Sequence, residues 1–314
     1  MIGWSVAALA SHLGRSAVGD LSRVVERFST LHQATSSDLA FAHAEIPSRR
    51  IAESRAAVLL TTPQQWKEHS QQFVAAILSD DPYGDMERLM VEVYRHPLAE
   101  CGKEIAVSAK VDPTAVIEGV VEEQVVIGPF CWVAKGSRVG AGSQLDAGVH
   151  LYPGVDLGKD CHLLSHAVVG SQGFGFRYSS TGERFPVQHR AGVVIGAGSI
   201  IGAHSVVAAG FLEPTELGER VALDSSVQVA HNVVIGADTL IAAHVDLAGH
   251  CILGRGVRMG GGAQVSGGVR VGDGATILAS AGVTKDVPAG ETWSGFPARP
   301  LWEWRRSVAR SYRT

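Results

Sequence analysis

From Ile127 onward, a branched aliphatic residue returns at every sixth position, through Val133, Val139, Leu145, Leu151, Leu157 and Leu163 to Val169. The series resumes at Leu217 and runs through Ile235 and Leu247 to Val283, with Met259 among the branched residues. A helix repeats its buried face about every 3.6 residues and a strand every second residue, so neither element alone explains a period of six. Four residues after most of these positions stands a small or β-branched residue, such as Ser137, Ser143, Val233 or Ala263. Both positions must then face a narrow interior, and one hexad is one short strand plus one corner. Three hexads close a triangular coil, and coils stack at the strand spacing of about 4.8 Å. Glycine directly follows the aliphatic residue at Gly140, Gly158, Gly236, Gly254 and Gly272, which predicts a corner that needs glycine's backbone freedom.

Such a prism needs no aromatic core. The chain of 314 residues is 46% hydrophobic but only 6% aromatic. Each buried aliphatic side chain contributes about 1.5–3 kcal/mol, so a long ladder of them suffices. The 37 glycines are dispersed among aliphatic residues rather than gathered in linkers, which argues against disorder. A formal net charge of −4 provides no general basic surface for nucleic acid or anionic membrane. No apolar run approaches the roughly 20 residues of a membrane span, and the opening MIGWSVAALASHLGRSAVGD lacks a basic start and a long apolar middle. The expected location is cytoplasmic. Among the four cysteines there is no CxxC pair and no metal-ligand spacing, so no metal site is expected. Cys131, Cys161 and Cys251 fall on the small inward position, where a thiol acts as a compact apolar group.

The period breaks twice. The interval from Val169 to Ile195 is not a multiple of six and contains GSQGFGFRYSSTGERFPVQHRAG, so a loop must leave the prism there. A shorter break after Val207 carries Ala208-Ala-Gly-Phe-Leu-Glu-Pro214. Interruptions of so regular a scaffold point to function, because packing gains nothing from them. Residues 1–100 have no hexads and mix an amphipathic segment, Val6 to Leu13, with apolar runs at Ala56 to Leu60 and Phe73 to Ile77, which reads as a separate α/β domain. Hexads at Ile105, Val111 and Ile117 begin the coil before a register shift to Val121, and the prism is expected over 101–298. Residues 299–314, with LWEWRRSVARSYRT, read as a short basic C-terminal helix.

A prism has few pockets of its own, so active sites are expected between parallel prisms, and a homotrimer is the natural closed assembly. Surface histidines are the candidate bases. His231 stands out because it lies in Asp224-Ser-Ser-Val-Gln-Val-Ala-His231-Asn-Val-Val-Ile-Gly236. That segment closely resembles the active-site strand of the UDP-3-O-(3-hydroxyacyl)glucosamine N-acyltransferases of lipid A biosynthesis. Gly173-Phe174-Gly175-Phe176 in the long loop, His189 before Gly192-Val-Val-Ile-Gly196, and the N-terminal domain agree with the same family in order and spacing. Gly295-Phe-Pro-Ala-Arg-Pro300 is similar to hexapeptide acyltransferases in general.

The resemblance implies a mainly β fold: a left-handed parallel β-helix of hexapeptide repeats, with a small N-terminal α/β domain that binds a nucleotide sugar and a short C-terminal helix. It implies that His231 takes a proton from a sugar amine while Asp224 orients the ring, and that the donor is acyl carrier protein, whose phosphopantetheine thioester is the only cofactor required. No permanently bound cofactor and no covalent acyl-enzyme are implied, since a thioester is already activated. Gly249, one coil beyond His231, is the candidate oxyanion donor. Phe41, His43, Gly173, Phe174, Gly175, Phe176, His189, Gln228 and Asn232 are the candidate substrate contacts. Asp224 has the alternative of capping corner amides, and Gln228 of forming a ladder on the prism. His244 and His250 occupy the same place in successive hexads, on different sides of the triangle, and are read as non-catalytic. Arg305, Arg306 and Arg310 form a basic patch that would steer the acidic carrier, or else a solvated tail whose tryptophans pack on the prism.

The chain departs from the family where the acceptor binds. The family's Asn-Pro-Lys-Tyr run after a phenylalanine holds uracil, but Phe41 here is followed by Ala42-His-Ala-Glu-Ile-Pro47, so Ala44 and Pro47 stand at the asparagine and tyrosine positions. The family's Asp-Arg-Gly in the second loop is Ala208-Ala209-Gly210, and a second family histidine is replaced by Gly268. These departures suggest a paralogue with another amine acceptor or a weak enzyme on the usual one, and the UDP-acylglucosamine reaction implied by the resemblance remains the first reading. A coenzyme A-dependent hexapeptide acetyltransferase, a trimeric zinc hydratase and a scaffold without catalysis are the rival readings.

Overall fold

The structure is a computed structural model that describes residues 2–43, 46–178 and 182–311. The chain divides into two compact units, Met1–Arg95 with Gly175–Arg190, and His96–Phe174 with Ala191–Thr314.

The second unit is a left-handed parallel β-helix built as the hexads require. Its three faces are sheets of nine, eleven and nine strands, parallel except for the last strand of the eleven. The first face runs from Glu104–Ile105 to Arg270–Val271, the second from Lys110–Val111 to Thr292–Ser294, and the third from Val116–Ile117 to Gly282–Val283. Most strands are two residues long, one exposed and one buried, as in Gln228–Val229 and Leu240–Ile241. Stacked partners are 18 residues apart, as in Val120↔Arg138, but 16 apart in the first coil, Val120↔Glu104. The register shift before Val121 is therefore one short coil. The inward Val, Leu and Ile side chains form one continuous buried cluster along the prism. Cys131, Cys161 and Cys251 belong to it, and burial pushes the Cys251 thiol up to about 12. They are structural groups, as their inward hexad position predicts.

The corners correct one expectation. The residue in the left-handed region is not the glycine after the aliphatic position but the residue three before it: Asn232, Asp238, His244 and His250 in successive corners have φ of 58°, 63°, 59° and 63°. Asn, Asp and His tolerate this conformation better than most side chains do. Gly140, Gly158, Gly236, Gly254 and Gly272 are instead required by close approach. A Cβ on Gly236 would lie 2.5 Å from the Arg255 nitrogen of the next coil, and one on Gly272 would lie 2.5 Å from that of Ala289. Coil backbones touch at these points, so hydrogen is the only side chain that fits.

The first interruption leaves the third face after Val168–Ser171 and rejoins the prism at Val193–Ile195, which pairs with Val155–Leu157. The second lies between Val206–Ala208 and Thr215–Leu217. At the far end, Thr292–Ser294 pairs antiparallel with Arg299–Pro300, and helix Leu301–Ser311 follows.

The first unit carries a five-stranded sheet in the order Ser16–Gly19, Ala75–Leu78, Val58–Thr61, Asp38–Ala42, Arg27–Ser29. The apolar runs expected as strands supply Val58–Thr61 and Ala75–Leu78 at its centre, buried and parallel. Helix Val6–Leu13 follows its sequence signal: Ser5 Oγ accepts the Ala8 N–H, and Gly14 ends it at φ 67°. Residues 175–190 form the antiparallel hairpin Phe176–Tyr178/Arg184–Pro186. Arg177 of that hairpin donates to Glu87 on helix Pro82–Glu92 at 2.5 Å, and Glu87 also accepts the Gln188 N–H at 3.1 Å. The long loop is thus held by a charge-assisted bond to a nearly buried carboxylate.

Candidate active site

His231 lies in the corner between strand Gln228–Val229 on the third face and Val234–Ile235 on the first, with its side chain half-buried. Its ring rests on Gly249, one coil along, where an added Cβ would meet His231 Cε1 and Nε2 at 2.8 Å. Any side chain at 249 would displace the imidazole. Among the described residues none accepts the Gly249 N–H, which therefore has no place in the sheet ladder. The His250 N–H donates to the His231 carbonyl at 3.1 Å, and the two rings meet edge to face with centroids 5.0 Å apart. His244 is in another corner, but His250 is a neighbour of His231. Sequence reasoning missed this because residues one full coil plus one position apart become adjacent only after the coil closes.

One contact on His231 Nδ1 is Asn232 Oδ1 at 3.2 Å. Asn232, expected to touch substrate, is only 9% exposed, and its amide is used inside the chain. Oδ1 accepts the Phe211 N–H at 3.1 Å and Nδ2 donates to the Glu213 carbonyl at 2.8 Å. Asp224 is exposed at the preceding corner, where its carboxylate accepts the Ser225 N–H at 2.7 Å. The capping contact weighed for Asp224 is therefore present. Gln228 is exposed on the third face, paired in register with Val206 and Asp246. Gly268 has φ 72° and open space around it, while Ala208 and Ala209 are buried.

Asp224 also borders a groove of about 590 Å³ along the second face, with Ile200, Ala222, Leu240, Arg258 and Thr276 among its lining. Leu240 is 49% exposed and Ile200 43%. Gly173 and Phe174 lie in the second unit after strand Val168–Ser171, and Phe174 is exposed. On the C-terminal helix, Arg305, Arg306 and Arg310 are exposed, and Arg306 stacks on the exposed Trp302 ring at 5.2 Å. Trp304 packs over Gly295. One tryptophan packs on the prism and the other stays out.

In the first unit, Phe41 and His43 are joined by a residue the sequence did not single out. Tyr83 meets Phe41 edge to face at 5.4 Å and His43 at 6.2 Å. Burial, with Glu87 nearby, pushes the Tyr83 hydroxyl up to about 12, so it stays a proton donor. Gln65 Nε2 donates to the His43 carbonyl at 2.9 Å and fixes that turn. Ala44 lies outside the described residues, and Pro47 precedes helix Ser48–Ala52. Gly175, Phe176 and His189 also belong to this unit. His189 is buried, and an added Cβ on Gly175 would lie 3.3 Å from its Cε1.

No family model matches the chain. It is similar to the UDP-3-O-acylglucosamine N-acyltransferase of Polynucleobacter asymbioticus, 28% identical over 60% of this chain and 60% of that protein. The protein of the same name from Pseudomonas syringae pv. tomato is 31% identical over 54% of this chain and 50% of its own. The chain is thus similar, over part of its length, to proteins named UDP-3-O-acylglucosamine N-acyltransferase. It matches only half to three fifths of the length of these two relatives. Among solved structures it is similar to LpxA from Acinetobacter baumannii, with a TM-score of 0.53 and 25% identity over 65% of this chain and 78% of that one. The Francisella novicida UDP-N-acetylglucosamine acyltransferase, at 24% identity and a TM-score of 0.53 over 63% and 70% of the two chains, shares the fold.

Proposed function

We propose that this chain is an N-acyltransferase that moves an acyl group, a 3-hydroxyacyl chain in the first instance, from acyl carrier protein to the amine of a UDP-acylglucosamine in lipid A biosynthesis. The observation that carries this reading is the His231 imidazole packed against Gly249 of the next coil, a glycine whose N–H bonds to no described residue and which we read as the oxyanion donor to the His231 base. The amine nitrogen attacks the thioester carbonyl carbon as His231 removes its proton. The oxygen gains negative charge and takes the Gly249 N–H. Collapse re-forms the carbonyl, breaks the C–S bond and returns the proton from His231 to the departing thiolate, leaving an amide and a free phosphopantetheine thiol. Atoms and charge balance without a covalent enzyme intermediate. His231→Ala should keep the fold and lower turnover about 10²–10⁴-fold. An unchanged rate would refute the assignment.

Three exposed arginines on an acidic chain support the carrier as donor, since steering of an acidic partner is electrostatic. The acceptor has a second reading, favoured by Ala44 and Pro47 where the family has uracil-holding groups: a different amino sugar or amine. Tyr83 offers an aromatic edge beside Phe41 and His43 that would hold a base by other means. Calorimetry with UDP-N-acetylglucosamine separates the two. Dissociation in the low micromolar range supports the UDP-sugar acceptor, and no detectable heat favours the other amine.

A further inference from the structure

We propose that Asn232 is a positioning residue that sets the tautomer of His231, and that the insertion around residues 208–214 is the clamp that sets Asn232. The inference deepens the reading of His231 as the base, and so rests on it. An amide side chain has two ends of similar shape, and its contacts decide which end is which. A backbone N–H can only donate, so the atom facing Phe211 N is the oxygen. A backbone carbonyl can only accept, so the atom facing the Glu213 oxygen is the nitrogen. Both contacts come from the insertion, and both give the same orientation. The Asn232 backbone is fixed as well, with φ at 58° and its N–H donating to Thr215 Oγ1 at 2.8 Å. The atom presented to His231 Nδ1 at 3.2 Å is therefore a carbonyl oxygen with no proton to give.

This contact is a hydrogen bond only when Nδ1 carries the imidazole proton. The opposite tautomer, which a free histidine side chain prefers in water, would set two lone pairs against each other in a mostly buried corner. With the proton on Nδ1, the lone pair sits on Nε2, the nitrogen that lies against Gly249. This is the state in which the ring can receive a proton from an amine, and a proton already on Nε2 would block it. A regular hexad coil supplies no such clamp, because its corners bond only to the coils above and below. The second interruption thus acquires a purpose that substrate contact alone does not give it.

The test is imidazole nitrogen NMR on the full-length, 15N-histidine-labelled protein in the alkaline range where imidazoles are neutral. The His231 signals are those absent from a His231→Gln sample. A pyridine-like Nε2 and a pyrrole-like Nδ1 are expected, whereas a pyrrole-like Nε2 in the wild-type protein would overturn the proposal without recourse to any folding variant. Asn232→Ala should shift the ring toward the Nε2–H tautomer and lower kcat by up to about 10⁴-fold, the loss expected of a base held in the wrong tautomer, with KM little changed. Thr215→Val removes only the acceptor of the Asn232 N–H and should lower Tm while leaving the tautomer unchanged. Retention of the wild-type tautomer in Asn232→Ala would reduce Asn232 to a structural residue and also overturn the proposal. The expected tautomer in a chain that acylates no amine would uphold the positioning role while refuting the proposed function.

Discussion

At the residue scale, the corner at 231 separates two carboxyl or amide groups that the sequence alone does not rank. Asp224 and Asn232 both lie near His231 in sequence, and family resemblance implies that the aspartate orients the ring. A contact on Nδ1 comes from Asn232, while Asp224 takes a corner amide. Asp224→Asn keeps an acceptor for the Ser225 N–H, so if capping is its role, Tm and turnover both stay near wild type. Asp224→Ala should then cost about 0.5–2 kcal/mol, the usual loss for a capping side chain, with kcat hardly changed. A large fall in kcat with normal Tm in Asp224→Asn would return the orienting role to the aspartate. His231 was legible because the motif that carries it, Asp224 to Gly236, is continuous in sequence. His250 and Tyr83 were not, since one reaches its partner by coil closure and the other from a separate helix.

At the scale of the strand and corner, the six-residue period specified which side chains enter the prism, because the inward position admits only compact apolar groups and a polar residue there would lose water without a partner. The period did not reveal why glycine follows the aliphatic residue, since flexibility and closeness leave the same mark in a sequence. The structure separates them, and a pair of substitutions tests the separation. Gly256 has φ 66° with nothing within 4 Å of an added Cβ, whereas Gly236 meets the next coil at 2.5 Å. Gly256→Asn should cost at most about 1 kcal/mol, because asparagine tolerates the left-handed region. Gly236→Ala should cost about 1–3 kcal/mol or more, as overpacking does. Chemical denaturation measures both, and equal losses would mean that backbone freedom, not close approach, governs both glycines.

For the whole molecule, the period dictates three faces but does not by itself say which of them meets another copy. The outward residues distinguish them. The first face presents Arg138, Asp156, Glu216 and Arg270 beside Val194, Val234 and Ile252, and the third presents Gln228, Asp246 and Gln264 beside Val168 and Val206, whereas the middle of the second presents Ile200, Ala222 and Leu240 along a groove of about 590 Å³. A concave apolar strip of this kind, with no charged residue between Ile200 and Leu240 in the stack, marks an interaction face. Three copies related by a closed rotation bury such a strip on each chain without leaving an open end. The homotrimer is therefore proposed to assemble through the second face. Light scattering on the wild-type protein should give the mass of three chains. Replacing Ile200 and Leu240 together by glutamate places like charges in the interface and should yield single chains with an unchanged far-ultraviolet spectrum, since both side chains point away from the prism's core. Because a site between prisms needs its neighbour, the same variant should lose most of its acyl transfer although His231, Asn232 and Gly249 remain in place. A wild-type protein that runs as one chain would refute the trimer, and a variant that stays trimeric would move the interface to another face.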